Sequence, residues 1–295
     1  MTSPRWQAEA PTALLPAAPR QHSFRWIKRL CATVMALVAL GVIAFTGLML
    51  VLPGVGDAPA LARAMDRAHH AAYPGSGVPP RVAAALIATE DHRFYSEPGI
   101  DLLAVGREQF GRLSGGSGQD AATLDQQLAK MLYAPGRSGL LAEAEQILLG
   151  VKLDLNYSKA QILQLYADVA YFGHGYYGLA AASCGYFAER PARLSWGQAA
   201  MLAGLVQAPS VDDPLSHFAN ARAREAHVLV RLIDTGRLTP WQASRAYQLP
   251  LHLTHGGNGR CSAGLGPVEG WSDGPAEDGE QVAVVQRDGI ALHAA

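Results

Sequence analysis

Glu90 and Asp91 stand side by side at the end of an apolar run, RVAAALIATEDHRFY, that begins after Pro79-Pro80. Proline suits a first helical turn, so the run reads as a helix with the acidic pair at its far end. A carboxylate there is partly taken out of water, which raises its pKa and makes it a better general base. By itself such a pair is equally an ordinary solvated helix end. Gln127 and Lys130 in TLDQQLAKMLY are three apart and read as the solvated face of an amphipathic helix. Arg224 reads as an exposed helix residue. The aromatic cluster of Tyr166, Tyr171, Phe172, Tyr176, Tyr177, Tyr186 and Phe187 reads as core.

The elements that must position these residues are helices. Between 57 and 250, apolar residues recur at three- and four-residue spacing between glycine and proline breaks. The segments are TLDQQLAKMLY, GLLAEAEQILLGVKLDL, SKAQILQLYADVAYF, LSWGQAAMLAGLV and ARAREAHVLVRLIDTG, the last closed by Gly236. Ser158 is placed to cap the helix that starts near Lys159. No stretch shows the period-two alternation of strands. Residues 1–29, with four prolines before residue 26, read as a disordered cytoplasmic tail, and 251–295 as a flexible glycine-rich one.

Between Leu30 and Leu52 no residue is charged. At about 1.5 Å of rise per residue the run reaches roughly 34 Å, enough for a bilayer core of about 30 Å. A cleaved signal peptide needs only about 7–15 apolar residues, so an uncleaved transmembrane anchor fits better. Arg20, Arg25, Lys28 and Arg29 precede the run and Asp57 is the first charge after it. The positive-inside rule then leaves the N-terminus in the cytoplasm and the 57–250 domain outside. A net charge of -1, with no basic run in the soluble part, excludes a nucleic-acid binder. Three cysteines without CxxC or Cys/His spacing suggest neither a metal site nor a disulfide framework, leaving room for one pair.

The order of these segments resembles glycosyltransferase family 51, which comprises monofunctional peptidoglycan transglycosylases and the glycosyltransferase domains of class A penicillin-binding proteins. ATEDHRFYSEPGID (88–101) is similar to its first motif, EDxxFxxHxGxD. TLDQQLAKM, NYSKAQILQLYADVAYFGHGYYGLAAASCGYF, LSWGQAAMLAGLVQAPS and REAHVL follow in family order, so the likeness covers about residues 75–245. It implies a mainly α fold, with a lysozyme-like helical lobe and a small membrane-associated jaw lobe at about 105–150. It implies polymerisation of lipid II at the outer face of the cytoplasmic membrane. In that reading Glu90 is the general base on the acceptor 4-hydroxyl, and undecaprenyl pyrophosphate leaves with inversion. Asp91, Thr123, Gln126, Gln127, Lys130 and Arg224 match substrate-binding positions. The leaving group calls for cations or a divalent ion such as Mg or Mn arriving with the pyrophosphate, with none tightly bound by the chain. Lipid II, nascent glycan, the membrane and cell-wall synthesis proteins are the implied partners.

Several motif positions differ. Glu97 replaces the first-motif histidine, and Asp125 replaces a threonine before the glutamine pair. In the third motif, R-K-x-x-E, counting back from Ser158-Lys159 gives Ala142, Glu143 and Gln146. A reversed charge beside a phosphate costs about 1–4 kcal/mol at about 4 Å, roughly a tenfold to thousandfold rate penalty. The alternative to a polymerase is therefore an impaired family member that binds lipid-linked substrate or a cell-wall partner. A lysozyme-like hydrolase comes last, because a glycosidase needs paired carboxylates. With four lysines and no SxxK or KTG, the chain has no transpeptidase site.

Overall fold

The computed structural model describes residues 23–69, 77–97, 99, 122–254 and 261. It separates into two units, one ending at Val51 and one beginning at Leu52.

The described residues of the first unit form one helix, α1 (Ser23–Val51). From Trp26 to Val51 it is long and apolar enough to cross a membrane. Val34, Leu37, Leu40 and Ile43 are all exposed. A helix apolar on every side suits lipid as its solvent. The hydroxyl of Thr33 donates back to the Leu30 carbonyl at 2.8 Å, so it needs no water. The helix begins seven residues before the uncharged run, so 23–29 are helical where a disordered tail was expected. The reason is local: nothing between Ser23 and Arg29 breaks a helix that the apolar run propagates.

The second unit is helical too: α2 (Ala58–Ala68), α3 (Pro80–Glu90), α4 (Leu124–Tyr133), α5 (Leu140–Asn156), α6 (Lys159–Val169), α7 (Leu179–Phe187), α8 (Trp196–Leu205), α9 (Phe218–Asp234) and α10 (Pro240–Gln248). The protein is mainly α, as its periodicities predict, and the described residues contain no strand. α8, WGQAAMLAGL, is buried from Gly197 to Leu205 and packs against α3 and α9. Its small residues let neighbours come close. A Cβ at Gly204 would stand 2.9 Å from the Cβ of Arg224 on α9, so glycine at 204 sets that approach. The second group is α4, which packs on α5 and α6, with α2 also against α6. Of the jaw region expected at about 105–150, residues 105–121 lie outside the described ones, and 122–150 form α4 and the front of α5.

Helix starts follow local chemistry. Ser158 caps α6 as predicted, in a reciprocal pair with Gln161, and Ser195–Gln198 and Thr239–Gln242 do the same for α8 and α10. The segment after α10 corrects the expectation of a loose tail from 251. Thr254 donates from its backbone to the Tyr186 carbonyl at 2.7 Å and from its hydroxyl to Gly185 at 2.6 Å. Gln198 donates to the Leu251 carbonyl at 3.0 Å, and Cys261 is disulfide-bonded to Cys184 on α7. The remaining tail residues lie outside the described ones.

Candidate active site

Glu90 is the last residue of α3, a helix whose inner face (Val82, Ala85, Leu86, Ile87) is buried in the core. That burial fixes where the helix ends, and leaves the Glu90 carboxyl half-buried at its tip. Gln127 of α4 donates its amide nitrogen to Glu90 Oε2 at 3.1 Å and to the Ala122 carbonyl at 3.3 Å. The other end of the same amide accepts from the Tyr166 hydroxyl at 3.0 Å. Because Tyr166 is wholly buried, its hydroxyl has one direction to point, and it fixes which end of the Gln127 amide faces the carboxylate. Burial raises the Glu90 pKa, as does the neighbouring Asp91 charge, against the Gln127 hydrogen bond and the Arg224 charge. A carboxyl raised in this way, still facing a donor, has the character of a general base.

Arg224 reaches the site from α9. Its Nε donates to the Gly204 carbonyl at 3.2 Å and lies 3.8 Å from Asp212 Oδ2, so the guanidinium is braced from α8 and from the loop after it. Lys130 is exposed on the last turn of α4, one turn on from Gln127. The two therefore line one side of that helix, as their spacing requires.

Asp91 and Thr123 both bond to the start of α4 or its neighbours. Asp91 Oδ2 accepts the Leu124 N–H at 3.1 Å, satisfying a free donor of the first turn of α4 and complementing its dipole. Thr123 is the N-cap of that helix, accepting from Gln126 N at 3.3 Å, while its hydroxyl donates to the Gly99 carbonyl at 3.1 Å. Both are buried, and both aim α4 so that Gln127 meets Glu90. Gly99 belongs to the same joint. It has φ +67, and a Cβ there would stand 2.8 Å from the Gly150 carbonyl oxygen of α5. The glycine of the first motif is thus explained by a left-handed turn under a helix backbone. Gln126 is buried rather than presented, its side chain against Gly150.

The third-motif positions lie on α5, which runs without a break from Leu140 to Asn156. Ala142 is buried, Glu143 exposed and Gln146 half-buried. Glu143 is an acid in the first turn, where the helix dipole favours it. The nearby cation Arg137 is paired with Glu145 at 2.6 Å.

Linear reading missed two features. Tyr166 was assigned to the core, and its hydroxyl acts on Gln127. Lys159 reaches Asp154 at 2.7 Å and Asp125 at 3.2 Å, and its Nζ sits 4.7 Å from the centre of the Phe94 ring. The acid at 125 was visible as a departure, but its partner is 34 positions away on another helix. Burial lifts the pKa of Asp125 to about 6, against the pull of Lys159. Among the described residues no group of three His, Cys, Asp or Glu side chains is arranged to hold a metal ion.

The chain, whose helical domain holds a half-buried acid against an amide at the tip of α3, matches the family model described as transglycosylase over residues 59–233. The chain belongs to that family, whose members are peptidoglycan glycosyltransferases. A Cupriavidus necator protein that carries the transglycosylase name is 32% identical over 230 residues, 77% of this chain and 100% of that one. Penicillin-binding protein 1A of Escherichia coli is 36% identical over 166 residues, 56% of this chain and 20% of its own length. Its counterpart in Mycobacterium tuberculosis is 37% identical over 169 residues, again 56% of this chain and 21% of that one. The match thus spans the whole of the first relative and about a fifth of each penicillin-binding protein.

Proposed function

We propose that the chain is a peptidoglycan glycosyltransferase that polymerises lipid II at the outer face of the cytoplasmic membrane, with Glu90 as general base. The observation that carries this is the Glu90–Gln127–Tyr166 chain at the end of α3. In the reaction the acceptor 4-hydroxyl passes its proton to Glu90 while its oxygen bonds to the donor anomeric carbon. The bond from that carbon to the pyrophosphate oxygen breaks, and inversion follows from the single displacement. Gln127 holds one carboxylate oxygen and leaves the other for the proton. Arg224 and Lys130 supply positive charge for the sugar-phosphate end. A divalent ion arriving with the substrate's own pyrophosphate stays part of the proposal, and its titration belongs to the assay.

The α1 helix, with its basic N-terminal flank, supports a single-pass anchor with the N-terminus inside and the second unit in the periplasm. The pairing of Cys184 with Cys261 accords with an oxidising compartment.

A second reading rests on α5. Gln146 and Glu143 stand where the family resemblance places a carboxylate and a base, and a member lacking both would bind lipid-linked substrate or a cell-wall protein without polymerising. The two readings separate in one assay: labelled lipid II with the detergent-solubilised full chain, Glu90→Gln alongside and a divalent ion titrated. Glycan strands that vanish in the mutant support the enzyme. Folded protein that gives no product above the mutant leaves the binding reading.

A further inference from the structure

Arg224 spends only Nε on a hydrogen bond within the chain, to the Gly204 carbonyl at 3.2 Å. Its Cβ is pressed against α8, where a Cβ at Gly204 would stand 2.9 Å away. The direction of the side chain is therefore set by α8. Its terminal nitrogens hydrogen-bond to no described residue, and the side chain is 22% exposed. A guanidinium whose outer fork is open takes a bidentate anion such as a phosphate. One anion of the chain already stands beside it. Asp212, in the loop between α8 and α9, has Oδ2 3.8 Å from Arg224 Nε, and its side chain is 9% exposed. That separation is too long for a hydrogen bond, so the two groups act on one another by charge alone. The next residue shows the contrast. Asp213 accepts from Leu215 N at 2.9 Å and Ser216 Oγ at 3.2 Å and meets His174 Nδ1 at 3.1 Å, so its carboxyl is used by the loop. Asp212 has Arg224 as the side-chain partner that the described residues supply.

We propose that Asp212 is a built-in counter-ion of Arg224, which limits how tightly the site holds the pyrophosphate of a lipid-linked donor and speeds its release once cleaved. Naming that anion rests on the function proposed above; the open fork and its acidic neighbour do not. Asp212 does not orient the guanidinium, because the Gly204 carbonyl and the backbone of α8 already do. What it adds is a negative charge, largely shielded from water and so weakly screened. A guanidinium is only a few ångströms across. An anion on its outer fork therefore stays within a Debye length of Asp212, about 8 Å, and is repelled. The repulsion is selective. When the bond from the anomeric carbon breaks, its electron pair stays on the pyrophosphate oxygen and the leaving group gains a negative charge. Asp212 thus disfavours the bound product more than the bound substrate.

The first arm of the test needs no turnover. Binding of inorganic pyrophosphate to the detergent-solubilised full chain is measured by calorimetry for wild type, Asp212→Asn, Asp212→Glu and Arg224→Gln. Asp212→Asn binds about threefold to tenfold more tightly at low salt, and the gain shrinks as salt is raised. Asp212→Glu keeps the charge and stays within about twofold of wild type, while Arg224→Gln loses at least about tenfold. A carboxylate that merely braced the loop would give weaker binding in Asp212→Asn. Binding that is unchanged or weaker in that variant, absent from both it and wild type, or indifferent to Arg224→Gln overturns the proposal. If Asp212→Asn does not fold, Asp212→Ser decides the same comparison. The second arm is lipid II polymerisation, where Asp212→Asn lowers KM and strengthens inhibition by added pyrophosphate by a larger factor. A protein that makes no glycan yet shows the tightened binding keeps the counter-ion and loses the polymerase reading. Polymerisation without tightened binding keeps the enzyme and overturns the counter-ion.

Discussion

The side-chain nitrogen of Gln127 lies 3.1 Å from Glu90 Oε2, and this bond joins the tip of α3 to the face of α4. Everything else at the site supports or feeds that bond: Tyr166 orients the amide, Asp91 and Thr123 aim the helix, and Arg224 brings charge from α9.

Replacing Tyr166 with phenylalanine removes the hydroxyl that fixes the Gln127 amide. The carbonyl oxygen of that amide then faces a buried apolar ring, at a cost of about 1–2 kcal/mol in stability. The amide can also turn its oxygen towards Glu90. The expected result is a fall in kcat of about tenfold with KM little changed, read from steady-state lipid II polymerisation.

Glu90→Gln removes the base and leaves its shape. Polymerisation drops by about 10²- to 10⁴-fold, with lipid II binding retained in a direct binding measurement. In wild type the acid limb of kcat/KM lies above the ordinary carboxylate range, because burial raises the Glu90 pKa. A limb at the ordinary carboxylate value counts against Glu90 as the base.

The α5 face offers a gain of function. Glu143→Lys together with Gln146→Glu restores two of the three charges of the related motif, at an exposed and a half-buried position. Removing a reversed charge near a phosphate is worth about 1–4 kcal/mol, so kcat/KM rises at least about tenfold. An unchanged rate removes α5 from the pyrophosphate path. The first-turn position makes Glu143→Lys slightly destabilising, a few tenths of a kcal/mol by the roughly 0.3–1 kcal/mol of dipole pairing.

Stability falls as pH rises through the neutral range. Burial lifts Asp66 to about 6, Asp168 to about 7 and Glu225 to about 8, the last despite Arg222 at 2.6 Å. Each is protonated longer in the folded state than in the unfolded one. Its contribution is whole below the unfolded carboxylate value and lost as pH climbs through the folded value. Melting temperature should therefore be higher near about pH 5 than near about pH 8.5, and Asp168→Asn should flatten part of that slope. A Tm that rises with pH contradicts the burial of these acids.

The Cys184–Cys261 bond closes a loop across 77 positions. Loop-closure entropy puts its worth at about 4 kcal/mol, as an upper figure. Reductant, or Cys184→Ser, lowers Tm by several degrees in differential scanning calorimetry. It releases the segment whose Thr254 is tied to α7, and an unchanged Tm rules out a stabilising role.

What the sequence determined by itself are the features set within one or two turns. The Ser158–Gln161, Ser195–Gln198 and Thr239–Gln242 boxes are local pairs, and they start their helices wherever those helices pack. The apolar run makes α1 long enough to span a bilayer because its length depends only on rise per residue. Glu90 at an apolar helix end was legible for the same reason. Tertiary structure alone decided the rest. Asp91 and Thr123 match substrate positions in line, and only the folded chain shows that hydrogen bonds across 33 and 24 residues also tie them into the joint of α4. Tyr166 became an orienting group only because α6 brings its hydroxyl to an amide 39 positions earlier. The cysteine pairing depends equally on a distance that no linear spacing encodes. Burial, which decides whether a carboxyl keeps its proton, belongs to the packed molecule and not to the string.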